Sequence, residues 1–384
     1  MKINIDKTKW QKVRLGDVAC EYSRRVNHPS KSGYDRFVGS SNIGQWDFRI
    51  NNWESTSSVT SAMKLFDIGD YLLVRRSLYA SDFRERAPRA SFAGVCSGDI
   101  LTIREKPDLL ADGFLIGILN SPSLWKYIVS KASGSITRRI KWRDLANYEF
   151  LLPPKEQQAQ LAELLWALNE VIEMDGKVLE GLGEVKAALQ RETFEKMNCN
   201  YTEIQYLAKV YSGGTPDRKI NKYWGGNIPW IKTAEVNYKV IEEVEEYITE
   251  EGLMNSSAKL IPAGSVLVAM YGQGVTRGRV AITGIEATCN QACAIIETTD
   301  KVNSQFIYSY LEYKYEELRS LAHGANQQNL NLGMIKEFNI PDLKEEAKKS
   351  FLKNKTAIDR NFNVIKVRMT TSMFLQKSLI NQIF

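Results

Sequence analysis

Apolar positions recur in two rhythms along the chain. Short, almost unbroken apolar runs, such as Tyr71-Leu72-Leu73-Val74 and Ser265-Val266-Leu267-Val268-Ala269, read as buried strands between turn-rich segments. Other stretches carry apolar residues at helical spacing. "GFLIGILNSPSLWKYIVSKA" and "NSQFIYSYLEYKYEELRSLA" each predict a helix ending at a glycine C-cap. The same spacing persists for about five heptads over 155–197, through Leu161, Leu164, Leu165, Leu168, Val171, Ile172, Val178, Leu179, Leu182, Val185 and Leu189, with Asp175 interrupting the seam. It returns less regularly over 342–384, through Phe351, Leu352, Ile358, Phe362, Ile365, Met369, Met373, Leu379 and Ile383. Each helix would be ~60 Å long. Such long one-sided helices need partners, and each offers itself to the other as a coiled coil.

The globular parts repeat as well. "SAMKLFDIGDYLLVRR" (61–76) aligns with "SSAKLIPAGSVLVAMY" (256–271), placing Lys64, Leu65 and Gly69 on Lys259, Leu260 and Gly264. "ASGSITRRIKWRDLANYEFLLPP" (132–154) aligns with "AHGANQQNLNLGMIKEFNIPD" (322–342), Gly134 falling on Gly324. The predicted organisation is α/β: a first mixed α/β domain over 1–154, a long helix over 155–197, a second such domain over 198–341 and a second long helix over 342–384. The two helices pair as an antiparallel coiled coil with internal pseudo-twofold symmetry.

Composition narrows the function. The 384 residues carry a net charge of +6, unevenly: +8 over 1–154 but −3 over 198–340. A mild basic excess permits an anionic partner without proving one. Five scattered cysteines argue against a disulfide framework and for a reducing, cytoplasmic setting. Cys289 and Cys293 lack partners at metal-ligand spacing and read as buried thiols, so no metal site is expected. Two histidines, His28 and His323, leave little room for His-based acid–base chemistry. There is no phosphate-cradling GxxxxGK[ST] loop, no GxGxxG after a strand and no Asn-Pro-Pro-aromatic motif, and no run long enough to span a membrane. The expectation is a protein that is not an enzyme and needs no cofactor of its own.

One stretch stands apart, "YSGGTPDRKINKYWGGNIPWIKTAEVN" (211–237), with two Gly-Gly pairs, clustered cations and two tryptophans. Together with "TRGRVAITGIEATCNQACAII", and with two α/β lobes each followed by a long helix, it resembles the specificity subunits of type I restriction–modification systems. "RFVGSSNI" and "FAGVCSGDILTI" look like another subclass of the same target-recognition domain, and "LLPPKEQQAQLAELL" like the family's entry into its central helix. The resemblance implies a non-catalytic protein whose two domains each read half of a split target on double-stranded DNA. It also implies helices that act as spacer and docking site for two methyltransferase subunits, which would supply S-adenosylmethionine, with motor–nuclease subunits as further partners. A specificity subunit of a related non-type-I system, or a coiled-coil scaffold with degenerate lobes, stays open as an alternative.

On that reading the candidate DNA contacts are basic or amide residues in loops. In the first domain they are Arg75, Arg76, Arg84, Arg86, Ser135, Arg138, Arg139 and Lys141, with Arg89 in the same basic stretch. In the second they are Arg218, Lys219, Lys222, Lys232, Gln273, Arg277, Arg279, Asn326, Gln327, Gln328 and Asn329. Arginine favours guanine and the amides favour adenine, so the aligned "SITRRIKWR" and "ANQQNLN" segments would read different bases. Gly213-Gly214 and Gly225-Gly226 read as turns, and Trp224 and Trp230 as anchors in the core. The acidic run "IEEVEEYITEE" (241–251) cannot face DNA and reads as a solvated outer face or as a surface for another subunit.

Overall fold

The computed structural model describes residues 6–77, 83–134, 137–272, 275–322 and 329–384. It divides into two compact units, residues 1–179 with 364–384, and residues 180–363. Each long helix therefore contributes to both units rather than forming a separate domain.

The first unit closes through Gln11–Arg14, paired antiparallel with Glu149–Leu152. After a single turn, Leu15–Val18, the strand Ala19–Glu21 lies beside Ile100–Glu105, whose other neighbour is Tyr71–Val74. All four side chains of Tyr71–Val74 are buried, because the pleat sends them alternately into two cores. Tyr71 and Leu73 join Leu115, Ile118 and Leu124 on the helical side. Leu72 and Val74 join Val38, Ile50 and Phe66 beneath a five-stranded sheet. Its order is Arg24–Val26, Met63–Phe66, Gly94–Cys96, Arg36–Val38, Glu54–Ser55. The helix expected over 113–132 is two helices, Leu115–Leu119 and Pro122–Lys131. Ser121 leaves helical geometry and accepts the Leu124 N–H at 3.3 Å, with Pro122 opening the second helix. That second helix ends on Ala132, not on a glycine.

The second unit repeats this plan. Tyr201–Glu203 pairs with Asn339–Pro341, and a turn Ile204–Leu207 leads to Lys209–Ser212. That strand edges a sheet ordered Lys209–Ser212, Cys293–Glu297, Val266–Ala269, Val280–Thr283, Val240–Ile241. Val266 and Val268 face the helix Lys301–Tyr313, whereas Leu267 and Ala269 face Ile231, Ile241 and Cys289. The glycines that precede the strands Tyr71–Val74 and Val266–Ala269, Gly69 and Gly264, both hold left-handed φ, +89° and +92°. All five cysteines are free, with Cys96, Cys289 and Cys293 buried.

The long helices span Lys155–Arg191 and Glu345–Ile383, about 55–58 Å each. Within the first unit Leu161, Ala162 and Leu165 of one helix and Leu379, Ile380 and Ile383 of the other enter a single core. Phe384 packs on Phe114 at 5.6 Å between ring centroids, and Lys7 Nζ donates to the Ile383 carbonyl at 2.8 Å. Within the second unit Phe351 of the second helix meets Phe194, just past the end of the first, at 4.9 Å. The helices run antiparallel in each unit: the Gln376 side chain reaches the Leu165 carbonyl at 3.5 Å in the first, and Lys186 pairs with Asp359 at 3.0 Å in the second.

The apolar face of the first helix separates into two stripes. Leu161, Leu165, Leu168, Ile172, Leu179, Leu182 and Leu189 are buried or half-buried, whereas Leu164, Val171, Met174, Val178 and Val185 remain exposed. Asp175 does not interrupt the seam but belongs to it. Its carboxylate is 1% exposed and takes Arg368 in a two-pronged pair, with Nε at 3.0 and 3.1 Å from the two oxygens. The Arg368 guanidinium holds this carboxyl below its usual range, outweighing desolvation. A carboxylate depressed in the folded state adds stability that is complete above its unfolded value of about 4 and is lost as pH falls through the folded value. Asp175→Asn should therefore flatten the fall in melting temperature below about pH 5. An acid limb as steep as wild type would remove this pair as a contributor.

Candidate nucleic-acid interface

In the first unit the strand Tyr71–Val74 runs out of its two cores into Arg75 and Arg76. The Arg75 N–H donates to the Asp99 carbonyl at 3.0 Å, and the Arg75 carbonyl accepts from Ile140 N–H at 3.0 Å. The next residue opens a two-residue ladder, Arg76–Ser77 with Arg138–Arg139, in which Arg139 lies opposite Arg76. Both guanidiniums bind Asp99: Arg76 Nη1 at 2.8 Å from Oδ2, and Arg139 Nη2 at 3.2 Å from Oδ1. Arg138 is half-buried and Lys141 exposed beside them. On the other side Val74 N–H donates to the Arg86 carbonyl at 3.1 Å, and the Arg86 side chain reaches the Ser40 carbonyl at 3.5 Å. Arg84 is exposed. Five of the first-domain candidates, Arg75, Arg76, Arg86, Arg138 and Arg139, thus meet at one corner. Arg84 and Lys141 flank it, and Ser135 lies outside the described residues.

Arg89 does not belong there. It turns to Asp112 and to Glu105 at 3.6 Å, with its guanidinium 5.8 Å from the Tyr71 ring centroid. It is an internal strut.

The second unit builds the same corner on the same backbone bonds. Met270 N–H donates to the Ala292 carbonyl at 2.8 Å, and the Met270 carbonyl accepts from Leu330 N–H at 3.1 Å. Ala269 N–H donates to the Arg279 carbonyl at 2.9 Å. These bonds place Met270 on Arg75, Tyr271 on Arg76, Ala292 on Asp99, Asn329 on Arg139, and Arg277 and Arg279 on Arg84 and Arg86. Sequence alignment missed that last correspondence. The strand Val280–Thr283 donates back into its ladder, but in the first unit Pro88 stands where Ala281 does and has no N–H to give. Gln273, Asn326, Gln327 and Gln328 lie outside the described residues, as do Gly324 and His323.

Arg279 donates to Asn237 Oδ1 at 2.9 Å and lies 5.9 Å from the Tyr238 ring. Tyr238 meets Tyr315 edge-to-face, and Arg319 donates to the Tyr315 hydroxyl at 3.1 Å while stacking 5.2 Å from that ring. Burial, with Tyr315 beside it, pushes the Tyr238 hydroxyl up to about 12 against the pull of Arg279, so it stays a neutral donor. Arg319 joins this corner without having been a candidate. Its signal was the Tyr315–Arg319 spacing of four on a helix face.

The cations of 211–237 are placed differently from expectation. Arg218 pairs with Glu246, Lys222 with Glu251, and Lys232 with Glu245 and Glu246 at 2.9 and 2.8 Å. The acidic run is their counter-charge, not a remote solvated face. Burial would raise the Glu246 carboxyl, but Lys232 and Arg218 hold it below its usual range. Arg218 also stacks on Trp224 at 3.7 Å. Of the four, Lys219 is exposed and carries no ion pair among the described residues. Trp230 is a core anchor, 1% exposed, its indole N–H on the Gly214 carbonyl at 3.0 Å. Gly213 and Gly214 serve close approach, not a turn: a Cβ on Gly214 would sit 2.2 Å from the Ala258 nitrogen.

Residues 198–358 match the family model described as the type I restriction modification DNA specificity domain. The MjaIX specificity subunit of Methanocaldococcus jannaschii is 33% identical over 144 residues, 36% of this chain and 33% of that one. The EcoR124I/EcoR124II specificity subunit of Escherichia coli is 26% identical over 153 residues, 39% of this chain and 38% of that one. The matched part is thus little more than a third of these two relatives. The HindI specificity subunit of Haemophilus influenzae is 26% identical across 86% of this chain and 89% of its own. In fold, the chain is similar to the S subunit of a type I system from M. genitalium, with TM-score 0.63, 13% identity, and 100% and 97% of the two chains covered. A chain from a type I R-M system complex gives 0.57 at 16% identity. The architecture is shared with these two chains. Over most of its length the chain is thus similar to type I restriction enzyme specificity subunits, and residues 198–358 carry the match to that specificity domain.

Proposed function

We propose that this chain is the non-catalytic subunit that reads a bipartite, asymmetric target on double-stranded DNA. One observation carries the reading: the same backbone corner occurs once in each unit with different side chains, an Arg76–Asp99–Arg139 cluster in one and Tyr271, Ala292 and Asn329 in the other. Two differently furnished copies of one corner suit two unlike half-sites, with the unread spacer set by the long helices. The shared backbone placement of Arg86 and Arg279, with Arg84 and Arg277 two residues before them, suits phosphate contact.

Partner docking is part of the proposal. The exposed stripe Leu164, Val171, Met174, Val178 and Val185, with Val364, Val367 and Phe374 on the second helix, suits helices of two methyltransferase subunits. S-adenosylmethionine and adenine methylation would belong to those subunits, and restriction subunits would complete a cleaving complex, in the cytoplasm. Among the described residues no helix is long and apolar enough to cross a membrane.

Replacing Arg138 and Arg139 together by alanine tests the reading in the reconstituted methylating complex. Methylated-adenine mapping should show one half-site relaxed and the other intact. Unchanged sequence-specific methylation would sink the assignment of this corner, and a purely scaffolding chain would give that result.

A further inference from the structure

Asp99 is an unexpected residue for a surface that meets DNA. Its carboxylate stands where phosphate oxygens would be welcome, and both of its oxygens are already occupied by arginines. Its position is fixed by main chain. The Asp99 carbonyl takes the Arg75 N–H at 3.0 Å, and the Asp99 N–H lies on Ser97 Oγ at 3.2 Å. The arginines reach past it: the Arg76 and Arg139 side chains are 38% and 47% exposed, Asp99 only 23%.

Two physical consequences follow. Arg76 and Arg139 are directly opposed across a ladder, where like charges repel; the carboxylate between them removes that repulsion. The three side chains together carry only a single positive charge, which makes a poor phosphate clamp. Each guanidinium is tethered to the carboxylate through one nitrogen and has further N–H donors beyond it, a donor set that suits the O6/N7 edge of guanine. The second unit dispenses with the carboxylate at Ala292 because Tyr271 and Asn329 bring no charge to balance.

We propose that Asp99 is a positioning residue for base reading: it aims Arg76 and Arg139 at guanine in the half-site of the first unit and keeps them from binding phosphate indiscriminately. The inference rests on the DNA-reading role proposed above.

The test is selection by the full chain from a pool of randomised duplex DNA, comparing wild type, Asp99→Ala and Asp99→Asn. Wild type should enrich two half-sites, one containing guanine. Asp99→Ala should lower discrimination for that guanine by about tenfold or more and leave the other half-site unchanged, an internal check on folding. Its affinity for arbitrary duplex should hold or rise, with the salt slope steeper by about one unit as a freed arginine takes a phosphate. Asp99→Asn, which keeps an acceptor but no charge, should fall between. An undiminished guanine preference in Asp99→Ala, or a uniform loss of affinity for every duplex, overturns the proposal. Failure of wild type to enrich any sequence overturns the DNA-reading role itself and carries this inference with it.

Discussion

Ile380→Ala should destabilise the first unit and spare the second, while Phe194→Ala should do the reverse. Each side chain lies near the far end of a long helix and is buried in the core of one unit. Ile380 is fully buried among Leu161, Leu165 and Leu119. Phe194 is 2% exposed and touches the rings of Phe306, Tyr310 and Phe351 at 5.7, 5.2 and 4.9 Å. Truncating a buried isoleucine costs about 2–5 kcal/mol and a buried phenylalanine about 3–5, set by how far the cavity collapses. Against a domain stability on the order of 5–15 kcal/mol, either change removes a large share of one unit's reserve. Hydrogen exchange resolved by segment would show protection falling in residues 71–74 for Ile380→Ala and in 266–269 for Phe194→Ala. Equal losses in both units from either variant would contradict the assignment of each helix end to one core.

The second large effect concerns DNA. Replacing Arg84, Arg86, Arg277 and Arg279 together by alanine should weaken binding to every duplex alike. These are the basic positions that both corners share, and phosphate contacts carry affinity and position without sequence information. If each serves one phosphate, the slope of log affinity against log salt should become shallower by about three to four units. Preference among sequences should survive where binding can still be measured. A preserved slope would show that the shared arginines serve packing alone, as Arg89 does.

Much of this was legible in the sequence, for reasons that differ between elements. The offset of 195 that sets Gly69 on Gly264 carries through to the corresponding strands Tyr71–Val74 and Val266–Ala269, because both need an apolar residue at every position. The long helices announced themselves by period. The split of that period into a buried seam and an exposed stripe did not, since Leu164 and Leu165 are chemically alike and only a three-dimensional partner tells them apart. The helix break at Ser121 is written as a cap followed by proline, a signal outweighed by the apolar run on either side of it. At the candidate interface the arginines of the first unit were found by composition. Their counterparts Arg277 and Arg279 are basic in the sequence but not aligned with them, since Pro88 alters the ladder that marks the place. The pairing of Arg218, Lys222 and Lys232 with Glu245, Glu246 and Glu251 joins residues 13 to 29 positions apart, and no local pattern announces such contacts.

The strand that feeds each corner has no free face: its side chains are divided between two cores and cannot change without loss of packing. The residues immediately beyond it are held by main-chain bonds, which are indifferent to side-chain identity. Arginine in one unit and methionine in the other occupy that position on the same pair of hydrogen bonds. Evolution can therefore rewrite what the corner presents while the scaffold beneath stays under strict selection. New target preferences would arise by point replacement at a handful of positions, and a lineage of such proteins should diverge fastest within one or two residues of its most constrained strand.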